Sequence, residues 1–232
     1  MKLLRQTIEF TTLTLGKLKR NQRCKVQLGQ VVKVNLGCGL AIASGWVNID
    51  GSLNALVANL PPFIHRLAYR MTGSNRYYTE DVYCNLLGNN RFIHHDLAAG
   101  IPLNDAVADY TYSSHFVEHL FRRDAEHLLA EMCRVLKPGG KARISVPDLE
   151  FAVSLYAAGE KEKMLTQYFF NDDEDNHYSR HKYMYDFPMI VELLLRAGFR
   201  EVRRCSFAQG SVPDIDILDN RPEDSLYVEA IK

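Results

Sequence analysis

QVVKVNLGCGL, residues 30 to 40, runs a β-branched stretch straight into Gly37-Cys38-Gly39, and its reading decides the fold. Gln30 to Leu36 has the continuous apolar character of a short buried strand, and the glycine pair behind it marks a tight turn. Two positions without Cβ let the backbone approach a ligand closely and leave amide N–H groups to meet its polar atoms. The same step recurs downstream, where Trp46 to Asp50 (WVNID) and Arg91 to Asp96 (RFIHHD) are short runs that each end in an acid. In an open parallel sheet, ligands bind beyond the carboxyl ends of the strands, so this succession of ends suits a nucleoside.

Working outward, Ala106 to Ser113 supplies a fourth strand. From Asp124, the spacing of Leu128, Leu129, Met132, Val135 and Leu136 follows the period of a core-facing helix. Lys137-Pro138-Gly139-Gly140 is expected to stop that helix and turn the chain before a fifth strand, Lys141 to Val146. Helical segments are predicted over Leu149 to Tyr156 and Met189 to Arg196, and two last strands over Val202 to Phe207 and Leu226 to Ile231. Residues 53 to 71 are helix-like around Pro61 and Pro62, while residues 72 to 90 read as a surface excursion. Strands alternating with helices predict an α/β, doubly wound, mostly parallel seven-stranded sheet with helices on both faces, in a single domain. Residues 1–30 form an N-terminal extension, and residues 31–232 the domain, with a substrate-side insertion at about 150–188.

Eleven positions separate Gly39 from Asp50. At about 1.5 Å per residue that leaves room for one or two helical turns, so a stunted first helix is expected over Leu40 to Ser44. Trp46 then either packs over the gap or stacks near a ligand.

Composition narrows the function. Among 232 residues, Lys plus Arg and Asp plus Glu both number 28, and this balance gives no field that recommends nucleic acid as partner. The basic residues Lys2, Arg5, Lys17, Lys19, Arg20, Arg23 and Lys25 gather in the extension, which leaves weak contact with an anionic membrane surface open. Asp172 to Asp175 form an acidic loop. Five cysteines, never in a C-x-x-C pair, argue against a disulfide framework and for a reducing compartment. No apolar run approaches the roughly 20 residues of a membrane span, and a cytoplasmic location is expected.

Asp50 is placed to accept from a ribose diol. Asp96 either accepts from an adenine amino group, with the Leu97 N–H donating to the ring, or caps a helix. VNLGCG (Val34 to Gly39), SSHFVEHL (Ser113 to Leu120) and LLAEMCRVLKPGGKARISVPD (Leu128 to Asp148) resemble the class I, Rossmann-like S-adenosylmethionine-dependent methyltransferases. GWVNIDGS (Gly45 to Ser52), VPDL (Val146 to Leu149), HKYMYD (His181 to Asp186) and the ending SLYVEAIK resemble a bacterial branch associated with polysaccharide biosynthesis.

The resemblance implies S-adenosyl-L-methionine as cofactor and methyl transfer to a small-molecule or saccharide acceptor. It implies that Gly37 and Gly39, with Asn35 and Cys38 beside them, line the methionine part; that Asp50 and Gly51 hold the ribose; and that Asp96 and Leu97 hold the adenine. Ser113, Ser114 and His115 would face the sulfonium and the acceptor, with Glu118 and His119 following. Two positions depart from the family pattern. Asn35 stands where an acid is usual and cannot pair ionically with the cofactor's ammonium, and Ala41 replaces a third glycine.

Residues 176 to 186 are dense in rings and charges. His181 or His177 is the expected general base or acceptor contact, with Tyr185 and Asp186 orienting it, and His115 is a second base. A structural alternative has the rings packing a lid and Asp186 capping the next helix. His177 with His181, and His94-His95-Asp96, lack a third ligand at defined spacing, so no metal is expected. Two rival functions remain. Tyr178-x-x-x-Lys182 has the spacing of a short-chain NAD(P) oxidoreductase, and a noncatalytic cofactor-binding scaffold would tolerate Asn35 and Ala41.

Overall fold

Seven strands join in one sheet in the order β3-β2-β1-β4-β5-β7-β6. The computed structural model describes residues 14, 16, 19, 21–26, 30–71, 73–170 and 180–232. Its strands are β1 (Lys33–Leu36), β2 (Trp46–Asp50), β3 (Arg91–His94), β4 (Ala108–Ser114), β5 (Leu136–Pro147), β6 (Glu201–Cys205) and β7 (Ser225–Ile231). The helices are α1 (Leu53–Val57), α2 (Pro62–Met71), α3 (Glu80–Asn89), α4 (Arg122–Val135), α5 (Leu149–Ala157), α6 (Lys161–Met164), α7 (Phe187–Arg196) and α8 (Ile215–Leu218). Strands β1 to β5 pair in parallel, and β7 lies antiparallel between β5 and β6. The strand order reverses between β1 and β4, which opens a crevice beyond Leu36 and Ser114, the position where doubly wound sheets bind ligands.

Strand alternation gives the sheet two unlike faces. Val34, Leu36, Val47, Ile49, Ala142, Ile144, Val146, Leu226, Val228 and Ala230 point to one side, where Leu128, Leu129 and Met132 of α4 and Ile190, Leu193 and Leu194 of α7 complete an aliphatic core. The other side carries Asn35, Trp46, Asn48, Tyr112, Arg143, Tyr227 and Glu229. It is covered by two units: α1 to α3 beneath Phe92 and Cys38, and a segment around Val212, Ile215 and Leu218 that packs on Trp46 and Tyr112. Trp46 therefore fills the space left by the short crossover. Its ring meets Tyr112 edge-on at 6.1 Å, and its Nε1 donates to Asp214 at 2.8 Å.

Three expectations are corrected. Leu40 to Ser44 forms turns and coil with no helix, because Asn35 and Asp50 hold the backbone of that loop at Ala41 and Gly39. The excursion at 72–90 contains α3, for which Thr79 is the N-cap; Glu80 and Asp81 lie in its first turn, and Tyr83 and Leu87, one turn apart, are buried. Lys137 to Gly140 ends α4 at Val135 but belongs to β5, where the ladder to β4 shifts register between Ala108 and Tyr110.

Of the N-terminal extension, Arg23 donates to the Ile101 carbonyl at 2.6 Å and the Cys24 N–H to that of Pro102 at 2.7 Å. The remaining basic arm lies largely outside the described residues, as do the acidic run 172–175, His177 and Tyr178. No helix among the described residues is long and apolar enough to cross a membrane.

Candidate active site

The glycine turn is built from both flanking strands. The Gly37 N–H donates to Ile49 at 2.9 Å, extending the β1–β2 ladder one step past Leu36. Gly37 sits at φ 65°, and a Cβ there would lie 2.1 Å from the Phe116 ring, so only glycine lets the loop after β4 close on the turn. Gly39, at φ 51°, faces open space among the described residues: none of their atoms lies within 4 Å of where its Cβ would be. Asp50, 8% exposed, spans the two strand ends, accepting from the Gly39 N–H at 2.9 Å and the Ser52 N–H at 2.7 Å. Each carboxylate oxygen keeps lone-pair capacity for a further donor.

Asn35 is fully buried beneath this turn. Its Nδ2 donates to the Ala41 carbonyl at 2.9 Å and reaches Asn48 Oδ1 at 3.3 Å, so its amide braces the loop from inside. Cys38 turns its side chain into the apolar cluster of α1 to α3, where burial pushes the thiol well up and the Asp50 charge adds to the effect. Only the Cys38 backbone is left to the crevice.

At the end of β3, Asp96 accepts the Ala98 N–H at 3.1 Å and caps a short turn, Leu97–Ala99. Gly16 of the extension packs against it. His94 and His95 precede it, both buried, and burial lowers both imidazoles.

At the end of β4, the Ser113 hydroxyl is buried without a partner among the described residues, and Ser114 Oγ lies 3.4 Å from Ser145 Oγ. His115 sits at φ 47°, its N–H bonded to Ser145 at 2.9 Å and its Nε2 paired with Ser225 Oγ at 2.9 Å. A short turn, Val117–His119, follows. The Lys182 N–H donates to the Glu118 carbonyl at 2.7 Å, which brings His181 beside His115 and His119. Burial lowers the His181 imidazole, whose Nδ1 is held by the Tyr168 carbonyl at 2.7 Å.

Neither Tyr185 nor Asp186 is the group that orients His181. The Tyr185 hydroxyl is buried without a partner among the described residues and pushed up to about 12, chiefly by burial. Asp186 caps α7 by accepting the Met189 N–H at 2.8 Å. On its other side His181 borders a cavity of about 340 Å³, lined also by Gln167, Tyr168, Arg221 and Asp224. Glu118 and Tyr168 had no role in the sequence reading; their place in the site follows from long-range docking that residue spacing does not encode.

Comparison with known proteins places this geometry. Residues 34–144 match the model of the Methyltransferase domain family. That match spans every strand end described above, from the glycine turn to β5. No curated protein matches. Among solved structures, the chain is similar to the S-adenosylmethionine-dependent methyltransferase SibL in its apo form, at 18% identity and a TM-score of 0.51, over 88% of this chain and 51% of that one. It is similar to a possible exported protein from Bordetella parapertussis at 16% identity and a TM-score of 0.51, covering 99% of this chain and 68% of the other. A SAM-dependent methyltransferase from Archaeoglobus fulgidus aligns over 99% of this chain and 98% of its own length, at 14% identity and a TM-score of 0.49. The likeness of the first two, at these identities, carries the fold alone, which is the Rossmann-like methyltransferase fold. The cofactor that the matched methyltransferase domain implies is S-adenosylmethionine. The antiparallel β7 also sets this sheet apart from the 3-2-1-4-5-6 order of dinucleotide-binding folds, against the oxidoreductase reading.

Proposed function

We propose that the chain is an S-adenosylmethionine-dependent methyltransferase that acts on a hydroxyl of a small-molecule acceptor, in the first place a sugar in polysaccharide biosynthesis. The observation that carries this reading is the clasp of Asp50 on Gly39, which holds a glycine turn open beside a carboxylate at the switch point of the sheet. S-adenosylmethionine supplies, when bound, a methyl group on a positive sulfur that is already a good leaving group. Asp50 and Gly51 would receive its ribose, the backbone of Gly37, Cys38 and Gly39 its methionine part with Asn35 bracing the loop, and Asp96 with Leu97 its adenine.

Ser113, Ser114 and His115 stand where the acceptor must approach. The chain's main contribution is alignment, which for well-oriented reactants is worth about 7 to 11 kcal/mol. His115 and His181 are the described residues placed to take a hydroxyl proton, a role worth roughly 10²- to 10⁴-fold. Tyr185 walls the same corner, Asp186 fixes the start of α7 behind it, and His177 belongs to the same segment of sequence. Gln167, Arg221 and Asp224 offer donors and acceptors suited to a polyhydroxylated ligand. The resemblance of GWVNIDGS and HKYMYD to polysaccharide-associated enzymes supports the sugar as acceptor.

Two measurements test the reading. Calorimetric titration with S-adenosylhomocysteine is expected to give one site per chain. Incubation with radiolabelled cofactor and cell extract is expected to leave label in a saccharide fraction. Binding without turnover on any fraction would favour the noncatalytic scaffold, and label in protein or lipid would overturn the sugar acceptor.

A further inference from the structure

Glu118 is fully buried, yet neither of its carboxylate oxygens has a hydrogen-bond partner among the described residues. A carboxylate withdrawn from water without a counter-charge is costly, by several kcal/mol even after relaxation. Three imidazoles surround it. His115 Nδ1 lies 3.4 Å and His119 Nε2 3.8 Å from Glu118 Oε1, and the His119 and His181 rings are 5.2 Å apart between centroids.

One ligand atom from each of Glu118, His119 and His181 lies within 4.8 Å of the other two. Three atoms so spaced leave a point that is within about 2.8 Å of all of them, against about 2.0 to 2.2 Å for zinc bonds to nitrogen or carboxylate oxygen. Closing on an ion therefore asks each side chain to move by less than about 1 Å.

The hydrogen bonds behind the rings already select the ligating tautomer. His119 Nδ1 faces the Arg180 carbonyl at 3.1 Å, and His181 Nδ1 faces the Tyr168 carbonyl at 2.7 Å. A carbonyl can only accept, so both Nδ1 atoms carry hydrogen and, in the neutral rings, both Nε2 lone pairs are left free. This is how proteins hold metal-binding histidines, with the second ring nitrogen donating to a carbonyl or carboxylate. The backbone of Glu118 accepts from Lys182 and Tyr183 at 2.7 and 3.2 Å, which locks the two halves of the cluster together.

We propose that Glu118, His119 and His181 bind a divalent transition-metal ion of the zinc type. One carboxylate and two imidazoles suit such an ion and leave at least one coordination position for water or an acceptor oxygen. His181 also forms a wall of the 340 Å³ cavity on its other side, so the ion would fix the ring that borders it, and His115 Nδ1 would steady the Glu118 carboxylate. The sequence expectation of no metal rested on His177 with His181 and on His94-His95-Asp96. The structure instead supplies Glu118 and His119 from the far side of the crevice. Metal binding here goes beyond methyl transfer and stands without it.

The full chain, stripped with a chelator, is titrated with ZnCl2 by calorimetry and with CoCl2 by visible absorption. One equivalent is expected, with cobalt d–d bands of a low-coordinate site, and at least about tenfold weaker binding in both His119→Ala and His181→Ala. Substoichiometric zinc in the wild-type protein overturns the site, as does wild-type affinity in both variants. Circular dichroism verifies the fold; if a variant is unfolded, the cobalt spectrum of the wild-type protein decides, since absence of d–d bands refutes nitrogen ligation. Titration of the wild-type protein with S-adenosylhomocysteine separates the two claims: zinc bound without nucleoside sinks only the cofactor reading, and nucleoside bound without zinc sinks only the metal.

Discussion

The carboxylate of Asp50, at the end of β2, accepts the backbone N–H of Gly39, three residues past the end of the adjacent strand. One side chain thus shapes the turn and lines the crevice. Asp50→Ala removes two charge-assisted bonds, to Gly39 and Ser52, each worth about 1.5 to 3 kcal/mol. Relaxation and water recover part of that, so a fall in Tm of roughly 5 to 10 °C is expected, at about 2 to 4 °C per kcal/mol for a chain of this size. Affinity for S-adenosylhomocysteine is expected to drop at least about tenfold, since the lost ribose acceptor is itself worth about 1.4 kcal/mol or more. Calorimetry and a thermal melt on the same sample check both, and unchanged affinity would remove Asp50 from the cofactor site.

Arg143 holds the covering segment to the sheet. Fully buried in β5, it bonds both oxygens of Asp219, reaches Glu229 at 3.3 Å, donates to the carbonyls of Ser206 and Gln209, and lies 5.0 Å over the Tyr227 ring. Arg143→Ala leaves the buried Asp219 without its counter-charge and Glu229 with Arg203 alone, which costs about 3 to 5 kcal/mol. Arg203, 58% exposed at its side chain, pairs with the same Glu229 from the rim, and Arg203→Ala is expected to cost about 1 kcal/mol or less. Urea denaturation of the two variants should reproduce that ranking; equal losses would contradict it.

Strand ends were legible in the sequence because their markers are local. Gly37 and Gly39 follow β1 directly, Asp50 closes β2, and the helix stop after Val135 is written in Lys137 to Gly140. Helix α3 was hidden because Gly88, Asn85 and Asn89 lower its propensity, and tertiary burial of Tyr83 and Leu87 outweighs that. The role of Asp186 as a cap was readable from Pro188 two positions on, yet the same residue also fitted a catalytic pattern. The cluster around Glu118 had no sequence marker, since His119 and His181 are 62 positions apart and meet only through the docking of residues 182 and 183 on Glu118.

Asp214 supplies a pH test. Its side chain accepts from Lys33 Nζ at 2.6 Å and from Trp46 Nε1 at 2.8 Å, and these two bonds, Lys33 first, hold its carboxyl below the ordinary Asp value. A depressed folded-state pKa stabilises the fold above the unfolded value of about 3.9, and the contribution fades as pH falls through the lower folded value. Asp214→Asn is therefore expected to lower Tm at pH 7 and to converge with the wild-type protein below about pH 3 to 4. Melts taken across pH 3 to 7 check this, and a gap that widens on acidification would contradict the assignment.

Asn35 occupies the position where the methyltransferases that the sequence resembles carry an acid, and on charge alone an acid there would favour the cofactor's ammonium. The hydrogen bonds argue the reverse. Asn35 Nδ2 donates to the Ala41 carbonyl and faces Asn48 Oδ1, while Asn48 Nδ2 is already given to the carbonyls of Trp46 and Arg91. In Asn35→Asp a buried carboxylate would confront two acceptors and leave both without a donor, a loss of about 1 to 3 kcal/mol for each unsatisfied group. The loop from Gly39 to Ala41 would lose its brace, so Asn35→Asp is expected to lower Tm by several degrees and to weaken S-adenosylhomocysteine binding despite the added charge. The effect should be strongest above the pKa of the new carboxyl and partly relieved at acidic pH, where the protonated form can donate to Ala41 again. Tighter nucleoside binding by Asn35→Asp at pH 7 would show that the side chain faces the ligand and not the loop.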